Sequence, residues 1–179
     1  HIRLAGETLF DAASGLHQPS DRRRVGVVFQ HAHLFPHLGV RRNLLYGYRR
    51  LPHTLRRIDP QALIEVLNLG PLLSRRVTTL SGGERQRVAL GRTVLSCPRL
   101  ILMDEPLNGL DDSLKYQIIP YLKRVFTEFD IPLLFISHSL NEMRLMTEQV
   151  LELDQGRITS RGDVHDLALR HMGSGAEGY

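Results

Sequence analysis

Two stretches carry residue types suited to phosphate chemistry. In the first, the apolar run Leu100-Ile101-Leu102-Met103 ends in Asp104-Glu105-Pro106. A carboxylate at the end of a buried strand can hold a hard cation such as Mg²⁺, directly or through water, opposite a phosphate. Glu105, the next residue, can then point to the other side and act as a general base that polarises an attacking water. The second stretch, Leu80-Ser81-Gly82-Gly83-Glu84, lies about fifteen residues upstream. Ser81 suits an N-cap, and Glu84, three residues on, can complete a capping box. Gly82 and Gly83 leave the first-turn amides open, so an anion can approach the positive end of the helix. A capped helix with no ligand accounts equally for Ser81 and Glu84, though not for two successive glycines in a helical turn. Two further polar residues end apolar runs: Gln30 after Val25–Phe29, and His138 two residues after Pro132–Ile136. The Gln30 amide can touch both a metal shell and a water. His138 can donate to a γ-phosphate, or simply cap the helix that follows.

The elements that must position these residues read as follows. Ile2–Leu4 and Thr8–Phe10 form a hairpin or two short strands, a polar stretch spans 14–24, and Val25–Phe29 is a β-branched strand. Residues 31–36 favour a loop, and a helix begins at Val40 with Arg41 and Asn43 on its wet side. Pro52, Pro60 and Pro71 break the region 49–79 into short helices, read as a small helical subdomain over about 40–95. The spacing predicts a helix over Gly82–Leu95, a strand over Leu100–Met103, and a long helix from Asp111 to Phe129 with a kink or restart at Pro120. A third buried strand at Pro132–Ile136, a short helix Leu140–Met146, strands near Val150–Leu153 and Arg157–Ser160, and a helix Asp163–Arg170 complete the pattern. Strands alternating with helices define an α/β fold with a mostly parallel sheet core. In such a sheet the carboxyl ends of the strands, where Gln30, Asp104 and His138 fall, form the ligand edge.

Composition narrows the function classes. A chain of 179 residues, 42% hydrophobic, suffices for one substantial core. Its one cysteine, Cys97, excludes an internal disulfide and suits a reducing compartment. No run reaches the roughly eighteen apolar residues of a membrane span. No signal-peptide pattern opens the chain, so a membrane would act through a partner. The net charge of +4 conceals a basic front and an acidic back: 16 of the 23 Lys+Arg lie in the first 99 residues, and 13 of the 19 Asp+Glu in the remainder. The pairs Arg41-Arg42, Arg49-Arg50, Arg56-Arg57 and Arg75-Arg76 lack the interleaved aromatics of a base-stacking surface and read as solvated faces, not as a nucleic-acid site.

Five motifs, taken in order, give the chain a specific resemblance. Gln30 matches a Q-loop glutamine, Leu80–Glu84 a signature motif, Leu100–Glu105 a Walker B strand, Leu110-Asp111 a D-loop, and His138 a switch histidine. Together they resemble the nucleotide-binding subunit of ATP-binding-cassette (ABC) transporters, which implies a P-loop NTPase-like core and ATP with Mg²⁺ as ligands. Carried over, the resemblance makes Glu105, His138 and Gln30 catalytic, Asp104 and Gln30 metal-facing, and Ser81, Gly82, Gly83, Glu84 and Asp111 nucleotide-facing. It further implies a head-to-tail homodimer in which Ser81 and its glycines meet the γ-phosphate held by the opposite protomer, with Asp111 linking the two sites. Phe29-Gln30, Leu34-Phe35-Pro36-His37-Leu38, Val40–Leu44, Tyr46-Gly47 and Ser137–Glu142 are most similar to bacterial molybdate importers. In that branch the Gln30–His37 loop and the helical subdomain receive a membrane permease, at the cytoplasmic face of the membrane. Phe35, Pro36 and His37 are the contact candidates.

One departure stands out: no GxxxxGK[ST] phosphate-binding loop occurs, and the two lysines, Lys115 and Lys123, follow no glycine-rich turn. The expectation is a domain truncated at its N-terminus, covering residues 1–172 with a flexible tail at 173–179. Such a chain would bind nucleotide weakly, hydrolyse it poorly, and either dimerise, swap elements or expose apolar surface. Two other classes compete. One is a soluble non-transport ABC ATPase acting in DNA repair or translation; a repair member would insert a long coiled coil between Gln30 and Ser81, but only about fifty residues lie there, without heptads. A non-catalytic module is the other, supported by the missing loop.

Overall fold

The computed structural model describes residues 1–108 and 110–173. An antiparallel sheet opens the chain: β1 (Ile2–Leu4), β2 (Glu7–Asp11) and β3 (Leu16–His17), paired in that order. The central sheet is parallel and orders β4 (Val25–Phe29), β5 (Leu100–Asp104) and β6 (Leu133–Ile136). Val27 lies beside Leu102 and Phe29 beside Asp104, while Leu102 lies beside Leu134 and Asp104 beside Ile136. Between β4 and β5 come α1 (Val40–Leu44), α2 (Pro60–Val66) and α3 (Gly82–Leu95); α4 (Asp112–Phe129) joins β5 to β6. The chain continues through α5 (Leu140–Met146), an antiparallel ribbon of β7 (Gln149–Asp154) and β8 (Arg157–Asp163), and α6 (Val164–Gly173). The parallel core therefore matches the α/β expectation. Of the expected tail, residues 174–179 lie outside those described, and Gly173 closes α6.

The parallel register puts Gly26, Val28, Ile101 and Met103 on one face and Val27, Phe29, Leu102, Leu134 and Ile136 on the other. Val28, Ile101 and Met103 are buried in a cluster with Val88 and Val94 of α3 and Ile118, Leu122 and Val125 of α4. The opposite face is open: Phe29 is 50% exposed, Leu134 48% and Ile136 49%. This corrects the expectation that the third strand is buried, for β6 alternates between covered and exposed positions.

Helices α1 and α2 share the same core. Leu44, Leu63, Leu67 and Leu69 are fully buried. They close on Gly91 of α3, where a Cβ would sit 2.8 Å from Leu44 and 3.2 Å from Leu67. Only a glycine lets α1 and α2 approach α3 this closely. Asp59 caps α2 and Pro60 occupies its first turn, where proline starts a helix without the loss of a hydrogen bond. Pro120, in contrast, lies inside α4, which runs as one helix from Asp112 to Phe129, so of the expected kink or restart the restart does not occur. Asn43 also departs from expectation: it is fully buried, not on a wet face. Its amide accepts from the Phe35 N–H and donates to the carbonyls of Phe35, Leu38 and Gly39, so a short helix uses one side chain to satisfy the loop packed on it. Cys97 is buried in the turn between α3 and β5, and its carbonyl accepts from Arg24 at the start of β4.

Candidate functional site

The sheet's carboxyl edge collects four of the sequence candidates. Asp104 ends β5 on the open face, beside Phe29 of β4. Gln30 follows directly. A cleft of about 340 Å³ is lined by Phe29, Gln30, His31, His33, Asp104 and Glu105. Strand alternation would send Glu105 to the covered side, opposite Asp104. Instead Glu105 has φ +44°, a left-handed backbone that ends the alternation and brings both carboxylates to the same cleft. Its N–H remains tied to the Ile136 carbonyl at 3.0 Å, so the turn is fixed to β6.

The Glu105 carboxylate is held from two sides. Asn108 Nδ2 donates to Oε2 at 2.9 Å, and His138 Nδ1 lies 3.0 Å from Oε1. A carboxylate only accepts, so the Nδ1 proton must face it. His138 itself is largely exposed, and the turn carrying it is held by the Ser137 side chain. The Ser137 hydroxyl donates to Glu142 Oε2 at 2.7 Å and accepts the Ser139 N–H at 3.0 Å. Glu142, only 6% exposed, also takes Lys115 Nζ at 2.9 Å. That hydrogen bond, with the charges of Glu142 and Asp112, holds the Lys115 ammonium above its usual range against the opposing effect of burial.

The second sequence motif is built as expected. Ser81 Oγ accepts the Glu84 N–H and the Glu84 carboxylate accepts the Ser81 N–H at 2.8 Å, a complete capping box for α3. Arg75 Nη1 reaches both Glu84 oxygens, at 3.2 and 3.3 Å. The Ser81 N–H first, and the charges of Arg75 and Arg87 after it, keep the Glu84 carboxyl below the usual range despite some desolvation. The glycine pair divides. Gly82 borders a cleft of about 450 Å³ with Gln30, Arg85 and Asn108. Gly83 is buried, and a Cβ there would lie 2.6 Å from Leu114 Cδ1 of α4. Close helix packing thus accounts for Gly83 without a phosphate. Asp111 caps α4, accepting the Leu114 N–H at 2.9 Å. The structure therefore brings Gln30, Asp104, Glu105 and His138 together, sets Gly82 on a cleft that Gln30 also lines, and leaves Ser81, Glu84 and Asp111 in helix caps.

Several supporting residues escaped the sequence reading. Asn108 and Glu142 follow the candidates at i+3 and i+4, the spacing at which a side chain returns to the turn it leaves. Gln86 is 5% exposed and precedes buried Leu90 and Val94 on one stripe of α3, a polar residue at a core position. Its amide donates to the Phe29 and Pro106 carbonyls. On the same helix, Arg92 donates to the His33 carbonyl at 3.0 Å, with its guanidinium 5.0 Å from the Phe35 ring centroid. Burial lowers its pKa. The basic pairs are also less free than expected. Arg50 and Arg56 sit over Tyr46 and Tyr48, at 3.9 and 5.1 Å from the centroids.

The comparisons with known proteins agree with this architecture. The protein-family pattern described as ABC transporter matches residues 1–108, and the chain belongs to that family. The Molybdenum import ATP-binding protein ModC 1 of Azotobacter vinelandii is 47% identical over 169 residues, 94% of this chain and 47% of that protein. ModC of Mesorhizobium japonicum is 46% identical, again over 94% of this chain and 46% of its own. The chain thus spans about half the length of these curated relatives. Among solved structures, cbiO1 from Clostridium perfringens, part of the ABC transporter complex cbiONQ, matches with a TM-score of 0.74 at 23% identity, covering 84% of this chain and 61% of that one. This last likeness is one of fold.

Proposed function

We propose that the protein to which this chain belongs is the ATP-binding and ATP-hydrolysing subunit of an ABC importer, and that the solute is molybdate. One observation carries the ATPase reading: Gln30, Asp104 and Glu105 border one cleft at the sheet's carboxyl edge, and His138 sits on Glu105. Relatives named for molybdenum import support the solute.

The donor set suits Mg²⁺ delivered with a nucleotide. No three His, Cys, Asp or Glu residues cluster as a metal cage among the described residues. Mg²⁺ on ATP asks for less, one or two carboxylates with phosphates and water completing its shell. Asp104 and Gln30 would hold it, and the ion would neutralise charge on the phosphate oxygens. Glu105, with one oxygen against Asn108 and the other against His138, orients the attacking water and takes its proton. His138 keeps that carboxylate aimed and can turn its exposed ring toward a γ-phosphate. Ser81, Gly82 and Asp111 serve a second protomer in a head-to-tail homodimer. The loop 30–37 and the helical region 40–95 meet the permease, placing the subunit peripherally at the cytoplasmic face of the membrane. The phosphate-cradling loop absent from these 179 residues makes isolated-chain hydrolysis negligible under this reading.

The test is steady-state hydrolysis and ATP binding by the full-length protein. Glu105→Gln keeps the size and loses the base, so kcat should fall about 10²–10⁴-fold while ATP binding persists. Hydrolysis by Glu105→Gln at the native rate would reject the assignment. Molybdate uptake in cells lacking the gene tests the solute separately.

A further inference from the structure

The ladder between β4 and β5 ends at Phe29 beside Asp104. Past that pair the chains separate, one into the Gln30 loop and the other into the left-handed turn at Glu105. Sheet hydrogen bonds no longer fix their spacing. A single side chain takes over. Gln86 Nε2 donates to the Phe29 carbonyl at 3.1 Å and to the Pro106 carbonyl at 2.7 Å. One carbonyl belongs to the residue just before Gln30 and the other to the residue just after Glu105. Gln86 itself lies on α3, five residues after the Ser81 cap.

We infer that Gln86 is a positioning residue for hydrolysis: its amide sets the separation of Gln30 from Glu105 and ties both to the helix that begins at Ser81. The inference rests on the ATPase reading above and assigns Gln86 no contact with substrate. The chemistry requires an amide. Two carbonyl acceptors need two N–H donors from one buried point, which neither a carboxylate nor an apolar side chain provides. At 5% exposure little water is available to replace them. The proposed base and the glutamine proposed to hold the metal must be aligned within fractions of an ångström, and a misplacement of about 1 Å can cost about a hundredfold in rate. A role confined to stability would disturb α3 and its surroundings together. A positioning role predicts loss at both carbonyl-bearing segments with α3 intact.

The test uses the full-length protein. Gln86→Met keeps the length and volume without donors, and Gln86→Glu keeps the length and opposes a carboxylate to two carbonyls. For Gln86→Met, kcat should fall at least about tenfold with KM for ATP within about twofold. Amide exchange should accelerate at 29–33 and 105–108 together while 88–95 stays protected. Gln86→Glu should be worse on both measures. Native kcat in Gln86→Met, a proportional rise in KM, or faster exchange throughout α3 would overturn the inference. If neither variant folds, NMR of the unmodified protein decides: both Gln86 side-chain amide protons must exchange slowly with solvent, and rapid exchange of either would overturn it. An ATPase-silent native protein with protected Gln86 protons would sink the ATPase reading and leave the clamp standing. An active protein with unprotected ones would sink the clamp alone.

Discussion

Gly82 and Gly83 look alike in the sequence and do different work in the structure. A Cβ at Gly82 would make ordinary contact with Leu110 at 3.6 Å, whereas at Gly83 it would meet Leu114 at 2.6 Å. Gly82→Ala should therefore leave stability unchanged within about 0.5 kcal/mol or improve it, helix propensity favouring alanine. Gly83→Ala should cost about 1–2 kcal/mol through overpacking, and urea titrations check the contrast. Loss of hydrolysis in the stable Gly82→Ala protein would then point to phosphate contact and not to misfolding. Glu84 makes a pH prediction of the same local kind. Its folded carboxyl titrates below the ordinary range, so the unfolded chain takes up the proton first. The capping box stabilises the fold at pH above the ordinary carboxylate range, about 4.3, and that contribution is lost as pH falls through the folded value. Glu84→Gln should flatten the acid limb of stability, read as urea midpoint against pH. At this scale Ser81 and Glu84 were fully legible, because a capping box is local chemistry. The direction of Glu105 was not, because strand alternation gives no warning of a left-handed residue.

Among the elements, α4 and α5 are joined by an ion pair that also steadies the His138 turn. Lys115 stands in the first turns of α4, just past its Asp111 cap, and Glu142 in the first turn of α5. Lys115→Met leaves a buried carboxylate with only the Ser137 hydroxyl as a hydrogen-bond partner. Such a loss costs 3–5 kcal/mol in a fully buried pair. With Lys115 partly exposed, about 2 kcal/mol is expected. The double variant Lys115→Met with Glu142→Gln should recover most of it. A double-mutant cycle with coupling below about 0.5 kcal/mol would reject the pairing. The Lys115 contribution belongs to pH below the lysine range and is lost as pH rises through its raised folded value. Helix and strand positions were readable here from periodicity and proline placement. Asn43 was misjudged because its burial depends on a loop folding back onto a helix of five residues, a tertiary event that helical spacing cannot report.

For the molecule as a whole, the open sheet face is the dominant surface feature. Val27, Phe29, Leu134 and Ile136 present apolar area on strands whose other face packs on the core through Val28, Ile101 and Met103 and, less deeply, Leu133 and Phe135. Such a patch seeks a partner or promotes association. The 179-residue chain should self-associate with concentration and bind a hydrophobic dye, and Leu134→Lys with Ile136→Thr should suppress both. Dye binding and sedimentation unchanged by that pair would show the face to be irrelevant. The parallel core could be read from alternating apolar runs and helices. Which face would be covered could not, because a run such as Leu133–Ile136 has the same composition whether one side is covered or both.

The lone cysteine offers an internal clock. Cys97 is 2% exposed and lies where α3 hands the chain to β5, with its carbonyl pinned by Arg24. No reagent can reach its sulfur until that junction parts. The rate of thiol modification therefore times the opening of the joint between the Ser81 helix and the Asp104 strand, so the coupling of the two motifs can be followed in seconds or hours without an engineered residue, a ligand or a second protein.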